Sequence, residues 1–411
     1  MTKVVKTPVV AKMPASSHGP ALPLAGAILP LLAAFSCAVD ANPDVTLYGT
    51  VDLGLSYQRY SGDVTTPFDA GSSFGMTSGE QTESHFGLRG TEDLGGGVQM
   101  AFVLENGFNA GNGNLEQDGR LFGREAWLGV HSKSAGKVRF GRQYNFADEY
   151  FGPLTPFGPG DFTSASMGLS FGAANAERLS NTVKFETPEY AGVRAGVGYS
   201  FAAQAGSAYA KNGAIIAENL RTERYNFNTS ENLRALTAGV AYDGGSRYLT
   251  ATYDAFYPDA SVAGNYPAAT AWAAGGMVEM AGVQLSAAYG QARNGWMNEL
   301  HPMGEHMSVD DANTNVVFDP NIAVNSYLFG VTVPLSHVSS VFGLLQAAQP
   351  TASMRDNSQF SVATQSMVSL GYTYALSKRT NAYAFAGYAK NFSLVDGLVS
   401  SVGGAGLRHQ F

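Results

Sequence analysis

A single cysteine, Cys37, stands among 411 residues, and it lies near the N-terminus. The rest of the chain therefore contains no intrachain disulfide and no cysteine-ligated metal cluster. Charge is scarce too: Asp, Glu, Lys and Arg make up 14%, against roughly 25% in an ordinary soluble domain. The formal net charge of −8 gives no basic footprint for nucleic acid. Beyond residue 41 no apolar run reaches the length of about 18 residues that a spanning helix needs. What is plentiful is glycine, 49 residues, together with 20 Tyr and 24 Phe. Glycine weakens helix interiors, and aromatic side chains favour pleated surfaces. A hydrophobic content of 45% excludes a disordered chain.

Residues 1–41 have the pattern of an export signal. Lys3, Lys6 and Lys12 form a basic leader, and Ala21 to Phe35 carries no charge. Pro20, Pro23 and Pro30 interrupt the apolar run, which is short for a membrane anchor. Small residues then allow cleavage after Ala38 or Ala41. Cys37 follows Ala34-Phe35-Ser36, a poor context for lipid attachment. Loss of the leader removes Lys3, Lys6, Lys12 and Asp40 and moves the net charge from −8 to −10. Residues 42–411 are expected to form one domain.

From Asp44 onward one rhythm repeats. Val98, Met100, Phe102 and Leu104 share a face, while Gln99, Ala101 and Glu105 share the other. Val193, Ala195, Val197, Tyr199 and Phe201 alternate in the same way with Arg194, Gly196, Gly198 and Ser200. So do Val368, Leu370, Tyr372 and Tyr374 with Ser369, Gly371 and Thr373. Period two marks strands with one apolar and one polar or small face. The connections alternate as well. Short turns such as Glu92 to Gly96, Pro188 to Gly192, Asp243 to Ser246 and Leu376 to Arg379 separate long polar connections. The long ones fall near 57–82, 107–121, 147–177, 203–231, 258–270, 292–323, 350–359 and 390–401. Eight long and seven short connections join sixteen strands. An even strand number with short turns at one rim and long loops at the other is the pattern of an outer-membrane barrel.

The physical reason is solvent. A strand facing lipid must present apolar atoms, whereas an aqueous lumen favours polar or small ones, and the backbone is satisfied in hydrocarbon only if the sheet closes. Sixteen strands leave a channel, where about eight would be filled by side chains. A soluble β-sandwich also alternates, but its inner faces would be rich in Leu, Ile and Val. Here the second face is Gly, Ser, Thr, Arg and Asp. The expected fold is all-β: a sixteen-stranded antiparallel transmembrane barrel.

Several stretches carry a family resemblance. They are Val45 to Asp52; Phe86 to Gly97 (FGLRGTEDLGGG); Gly123 to Gly129 (GREAWLG); Val138 to Gln143; Asn181 to Pro188; and the ending Gly406 to Phe411. In this order and spacing the chain resembles the trimeric general porins of Gram-negative outer membranes, in the neisserial and β-proteobacterial branch. The resemblance implies a homotrimer in outer-membrane lipid and lipopolysaccharide, with a pore through each subunit for small hydrophilic solutes and ions. It also implies a third loop, here about 147–177, folded inward to narrow the pore, and a terminal Phe411 read by the assembly machinery. Two departures stand out. Pro156-Phe157-Gly158-Pro159-Gly160 replaces a Pro-Glu-Phe-Gly-Gly-like stretch, and His85 stands where relatives commonly place an Arg.

A porin performs no covalent chemistry and needs no cofactor or metal; its functional residues are charges at the narrowest point. Alternation indicates which ones face water. With Phe86 and Leu88 towards lipid, His85 and Arg89 face the lumen; with Val183 and Phe185 outside, Arg178 and Lys184 lie inside. Asp52, Glu105 and Arg139 also fall inside, whereas Arg124 shares its parity with Ala126 and Leu128 and turns inward only at a rim or bulge. The expected eyelet sets a basic wall of Arg89, Arg124, Arg139 and Arg178, with His85, against loop acids Asp148, Glu149 and Asp161. Asp52 and Glu105 are further lumen acids. Relatives of this type are often anion-selective, and a local arginine cluster can overrule the negative net charge, so a slight anion preference is expected. The alternative is a substrate-selective channel for a sugar or organic anion, with Tyr150, Phe151, Phe157 and Phe162 lining the path.

Other patterns carry less. Gly71-Ser72-Ser73-Phe74-Gly75 and Gly168-Leu169-Ser170-Phe171-Gly172 match a hydrolase nucleophile string but lack its strand–turn–helix context. His301, Glu305, His306, Asp310 and Asp311 read as an exposed acidic loop rather than a metal site.

Overall fold

The two-faced pattern is visible strand by strand. In β12 (Arg247–Tyr257), Leu249 and Tyr253 are exposed on one face, while Tyr248, Thr250, Thr252 and Asp254 are buried on the other. In β17 (Gln365–Ala375), Val368, Leu370, Tyr372 and Tyr374 are exposed and Ser369 is buried between them. Large apolar side chains on the outside and small or polar ones inside invert the ordering of a water-soluble protein, as a lipid-facing barrel requires.

A computed structural model describes residues 44–411, except 63–70, 118, 158–169, 173–177, 204–207, 212–213, 218–231, 259–265, 298–315 and 358–360. Among the described residues nineteen strands join one antiparallel sheet. The first eight are β1 (Asp44–Ser61), β2 (Gly71–Ser78), β3 (His85–Gly95), β4 (Val98–Gly107), β5 (Glu125–Ser132), β6 (Gly136–Tyr144), β7 (Arg178–Glu186) and β8 (Val193–Ser200). A short hairpin, β9 (Ala208–Lys211) and β10 (Ala214–Ala217), precedes β11 (Arg234–Asp243) and β12. The series continues with β13 (Ala269–Met280), β14 (Val283–Met297), β15 (Val316–Pro334) and β16 (Ser339–Pro350). β17, β18 (Thr380–Lys390) and β19 (Val399–Gln410) complete it.

The wall has sixteen positions: β9 and β10 form an accessory hairpin, and β2 lies in line with β3 along the same edge of β1. The cylinder closes where β19 pairs with β1 from Thr50↔Gln410 to Ser61↔Val399. Phe411 extends the seam, since its amide donates to the Gly49 carbonyl at 3.0 Å and Gly49 N donates to the Phe411 carbonyl at 3.1 Å. From Gly49 to Ser61 the seam is paired along its length, which meets the backbone cost of hydrocarbon there.

Seven short turns lie at one rim, as the sequence pattern predicts. The turn after β3 uses three consecutive glycines, Gly95, Gly96 and Gly97, with φ of 80°, 62° and 78°, which side-chain-bearing residues adopt only under strain. Several long connections differ from expectation: the fourth carries the β9–β10 hairpin, and the seventh runs on to the start of β17 at Gln365. The sixth is shorter than 292–323, because β14 runs to Met297 and β15 starts at Val316, past a register shift between Arg293 and Gly295. The first is not a plain loop over 57–82: β1 continues to Ser61 and β2 returns beside it. Gly, Ser and Thr dominate β2, so its apolar alternation is too weak to read.

The described parts of the third long connection, 145–157 and 170–172, pack against the inner face of the wall. The connection begins with α1 (Phe146–Phe151), capped by the Asn145 side chain, which accepts from Asp148 N at 3.1 Å, and continues in a tight turn through Leu154. Phe146, Tyr150, Phe151, Leu154 and Phe157 are buried against the inner wall. The wall makes room by presenting glycines on its inner face. A Cβ added at Gly239 would meet Tyr150 at 2.8 Å, one at Gly330 would meet Pro156 at 3.0 Å, and one at Gly290 would meet Phe171 at 3.1 Å. Gly196 and Gly275 are similarly filled by Phe146 and Leu154. Polar pegs fix the position: Phe146 N donates to Thr237 Oγ1 at 2.8 Å, and Tyr248 OH to the Tyr150 carbonyl at 2.9 Å. Further along, Gln365 Nε2 donates to Ser170 Oγ at 3.1 Å. Gly239→Val is therefore expected to destabilise the barrel by about 1–3 kcal/mol through overpacking. The neighbouring lipid-side change Ala238→Val should stay within about 0.5 kcal/mol. Urea unfolding midpoints of the refolded barrel in detergent check this contrast.

Candidate functional site: the charged lumen wall

Between β2 and β3 the chain leaves the wall. Leu53 of β1 pairs with Ser78 and Thr50 pairs with His85, so only Val51 and Asp52 stand opposite the six residues Gly79 to Ser84. Four residues have no room in a flat ladder. They fold inward, over lumen-facing groups. Asp52 Oδ2 accepts from the amides of Gln81 at 3.0 Å and Thr82 at 2.8 Å, and Tyr383 OH donates to Oδ1 at 2.6 Å. Asn381 Nδ2 donates to Gln81 Oε1 at 2.7 Å, and Arg408 Nη1 to Thr82 Oγ1 at 2.9 Å.

Glu83, beside the root of this excursion, is the hub of the first charge cluster. Arg178 Nη2 lies 2.7 Å from Glu83 Oε2, and Arg124 Nη1 pairs with the same oxygen. Arg124 Nε also reaches Glu105 Oε1 at 2.5 Å, while Tyr48 OH donates to Glu105 Oε2 at 2.8 Å. Arg178 begins β7, four wall positions from β3, an arc of about 19 Å at the usual strand spacing. A side chain bridging that arc must sit inside the cylinder.

The second cluster belongs to the third connection. Arg139 Nη2 donates to both Glu149 oxygens, at 2.9 and 3.0 Å, and Lys184 Nζ lies 2.9 Å from Oε1. Lys184 Nζ also donates to the Tyr144 carbonyl at 2.6 Å and is only 1% exposed. Burial alone would raise the Glu149 carboxyl, but Lys184 and Arg139 beside it outweigh that and hold it below its ordinary value of 4.5.

Arg89, Arg139, Arg178 and His85 lie on the inner face, as alternation predicts. Arg124 does too, because it precedes the first residue of β5 and is not bound by that strand's parity. Arg89 makes no ion pair with a described carboxylate; its guanidinium lies 5.0 Å from the Tyr48 ring centroid. His85 Nδ1 is 2.7 Å from the Glu83 carbonyl oxygen. Glu105 is inside and paired. Asp52 corrects the expectation of a channel-lining acid: it is inside but fully buried, because the excursion covers it. The acids and bases are also not held apart across a gap, since Glu149 touches the basic wall directly. Asp148 is half-buried in the first turn of α1. Asp161 and Phe162, and the histidines and acids of 301–311, lie outside the described residues.

The residues missed from sequence are Glu83 and the excursion that carries it. The stretch Gly79 to Ser84 is polar and aperiodic, indistinguishable from a surface loop until strand register shows six residues facing two. The aromatic path also requires correction. Tyr150, Phe151 and Phe157 are at most 2% exposed and pack against the glycine-lined wall, so they offer no stacking surface to a sugar.

Comparisons with known proteins agree with this architecture. The Gram-negative porin family matches residues 27–392. An outer membrane porin protein of Bordetella pertussis is 39% identical over 397 residues, spanning 93% of this chain and 98% of the relative. Among solved structures, an anion-selective porin from Comamonas acidovorans superposes with a TM-score of 0.65 at 22% identity, covering 90% of this chain and 100% of that one. The trimer form of OmpT from Vibrio cholerae gives 0.55 at 14% identity, covering 90% and 99%. The closed two-faced cylinder and the extent of these matches lead to one conclusion: the chain belongs to the Gram-negative porin family and forms a channel in the outer membrane.

Proposed function

We propose that this porin is a general diffusion channel for small hydrophilic solutes, with a weak preference for anions, working as a homotrimer. The observation that carries the preference is the charge count in the two lumen clusters. Five cations (Arg89, Arg124, Arg139, Arg178 and Lys184) stand against three directly paired carboxylates, Glu83, Glu105 and Glu149. Paired charges present dipoles, whose influence fades quickly, so the two cations in excess carry most of the field felt by a passing ion. One is shared among Arg124, Arg139, Arg178 and Lys184, which hold only three carboxylates, and the other is Arg89, which faces no described carboxylate. The anion selectivity of the Comamonas porin and the trimer form of the Vibrio porin support the same assignments. Residues 1–41 would be removed on export, and Phe411 at the seam would serve as the assembly signal. The outer face would meet lipid and lipopolysaccharide.

Planar-bilayer recording in a salt gradient tests this. Wild-type protein is expected to give current steps in groups of three and a small reversal potential of the sign for anions. Arg89→Gln should lower the anion-to-cation permeability ratio roughly twofold, as expected for one unit charge several ångströms from the ion path. A clear cation preference of the wild type would overturn the assignment.

Acidification tests the loop anchor. A carboxyl held below its ordinary value contributes stability that is present above that value and lost as pH falls through the folded-state value. For Glu149 this places the loss below pH 4.5. Thermal unfolding of the wild type in detergent should therefore weaken below that pH. Glu149→Gln should already be destabilised at neutral pH, by about 3 kcal/mol, because it leaves buried Lys184 without its counter-charge.

A further inference from the structure

The geometry points to a second inward jaw of the pore: the excursion Gly79 to Ser84 narrows the channel opposite the third connection, and its Glu83 sets ion preference by neutralising Arg124 and Arg178. This rests on the diffusion-channel function proposed above and adds the element that shapes it.

The two inserted segments divide the wall between them. The third connection is seated on consecutive strands. It meets β8 at Gly196, β11 at Thr237 and Gly239, and β12 at Tyr248. Beyond these it reaches β13 at Gly275, β14 at Gly290, β15 at Gly330, β16 at Phe342 and β17 at Gln365. The excursion is fastened over the complementary arc. Its bonds run to β18 at Asn381, β19 at Arg408, β1 at Asp52, the start of β5 at Arg124 and the start of β7 at Arg178. Each half of the cylinder thus carries one inward element, and they approach one another at β6 and β7, where Glu149 holds Arg139 and Lys184. Solute passes between them.

The excursion is built to stay in place. Asp52 fastens its backbone through two amides, and Ser84 locks its root, with Asp52 N donating to Ser84 Oγ at 3.0 Å and Ser84 Oγ donating to the Asp52 carbonyl at 3.1 Å. Gly79 N donates to that same carbonyl at 3.0 Å. The Glu83 side chain remains 28% exposed while both of its arginine partners are at most 12% exposed. Glu83 is therefore the most exposed side chain of the three, and its carboxylate neutralises two buried cations.

Register supplies a clean deletion. Removing Glu80 to Glu83 leaves Gly79 and Ser84 opposite Asp52 and Val51, so β2 and β3 become one flat strand with alternation unbroken. Single-channel recordings would compare this deletion, Glu83→Gln and wild type. The deletion is expected to raise conductance by about half or more, through a wider aperture. Glu83→Gln should raise the anion-to-cation permeability ratio about twofold. A folded deletion with wild-type conductance, or Glu83→Gln with an unshifted reversal potential, would overturn the second jaw. If the deletion does not fold, Glu83→Cys in a chain lacking other cysteines substitutes for it. Labelling with a bulky thiol reagent should lower the conductance of open channels, and complete labelling without a change counts against the proposal. A wild type that gives no current steps at all would instead sink the channel function itself.

Discussion

Hydrocarbon offers no hydrogen-bond partner to an N–H or C=O group, and this single fact dictates the wall. Each strand must be paired on both sides through the membrane, so the sheet has to close, and the last residue of the chain is drawn into the seam beside Gly49. Closure then fixes the meaning of alternation. Once no edge is free, every second residue faces lipid and every other one faces water. A stripe of Leu, Val, Tyr and Phe outside obliges the inside to be filled with Gly, Ser, Thr and charge.

A closed cylinder of sixteen strands is too wide to discriminate among small solutes by its wall alone. The narrowing has to come from chain that leaves the sheet, and such chain carries backbone groups that must be satisfied again. The third connection meets this need with a helical turn capped by Asn145, with Tyr248 and Thr237 as fixed partners. The excursion meets it with one buried carboxylate, Asp52, accepting two consecutive amides. Glycine on the inner face is the other half of the solution. An inserted aromatic such as Tyr150 or Phe146 can lie flat against the wall only where the wall has no Cβ. The 49 glycines are thus an architectural requirement as much as a matter of turns.

The wall was legible in the sequence because solvent contrast writes a period of two into it. Val193 to Phe201 or Val368 to Tyr374 can be assigned to faces without coordinates, and parity alone brings Arg89, Arg139, Arg178 and Lys184 inside. The inserted segments were not legible to the same depth. Parity groups Arg124 with the outward Ala126 and Leu128, although it stands just outside the strand and turns inward, and it says nothing about Glu83, which stands between two strands. Asp52 shows the limit from the other side. Its face was assigned correctly, but its exposure depends on a segment some thirty residues downstream that folds over it. Aromatic residues in the third connection fit two roles equally well in sequence, stacking a solute or packing the loop. Only the positions of the wall glycines distinguish them.

The pairing of the lumen charges carries a further physical consequence. Arginines facing acids across open water would give a strong transverse field, but each charge would rely on solvent to hold it in place. Arginines in contact with Glu83, Glu105 and Glu149 give up much of that field and gain a fixed geometry, because a charge with two hydrogen-bonded partners has few rotamers left. In a lumen wet enough to screen ions within about 10 Å, the long-range part of the field is weak in any case. A rigid aperture with modest selectivity is therefore what this arrangement favours. The residues that still shape selectivity are Arg89, which lies over its tyrosine without a described carboxylate, and Glu83, whose one carboxylate neutralises two cations.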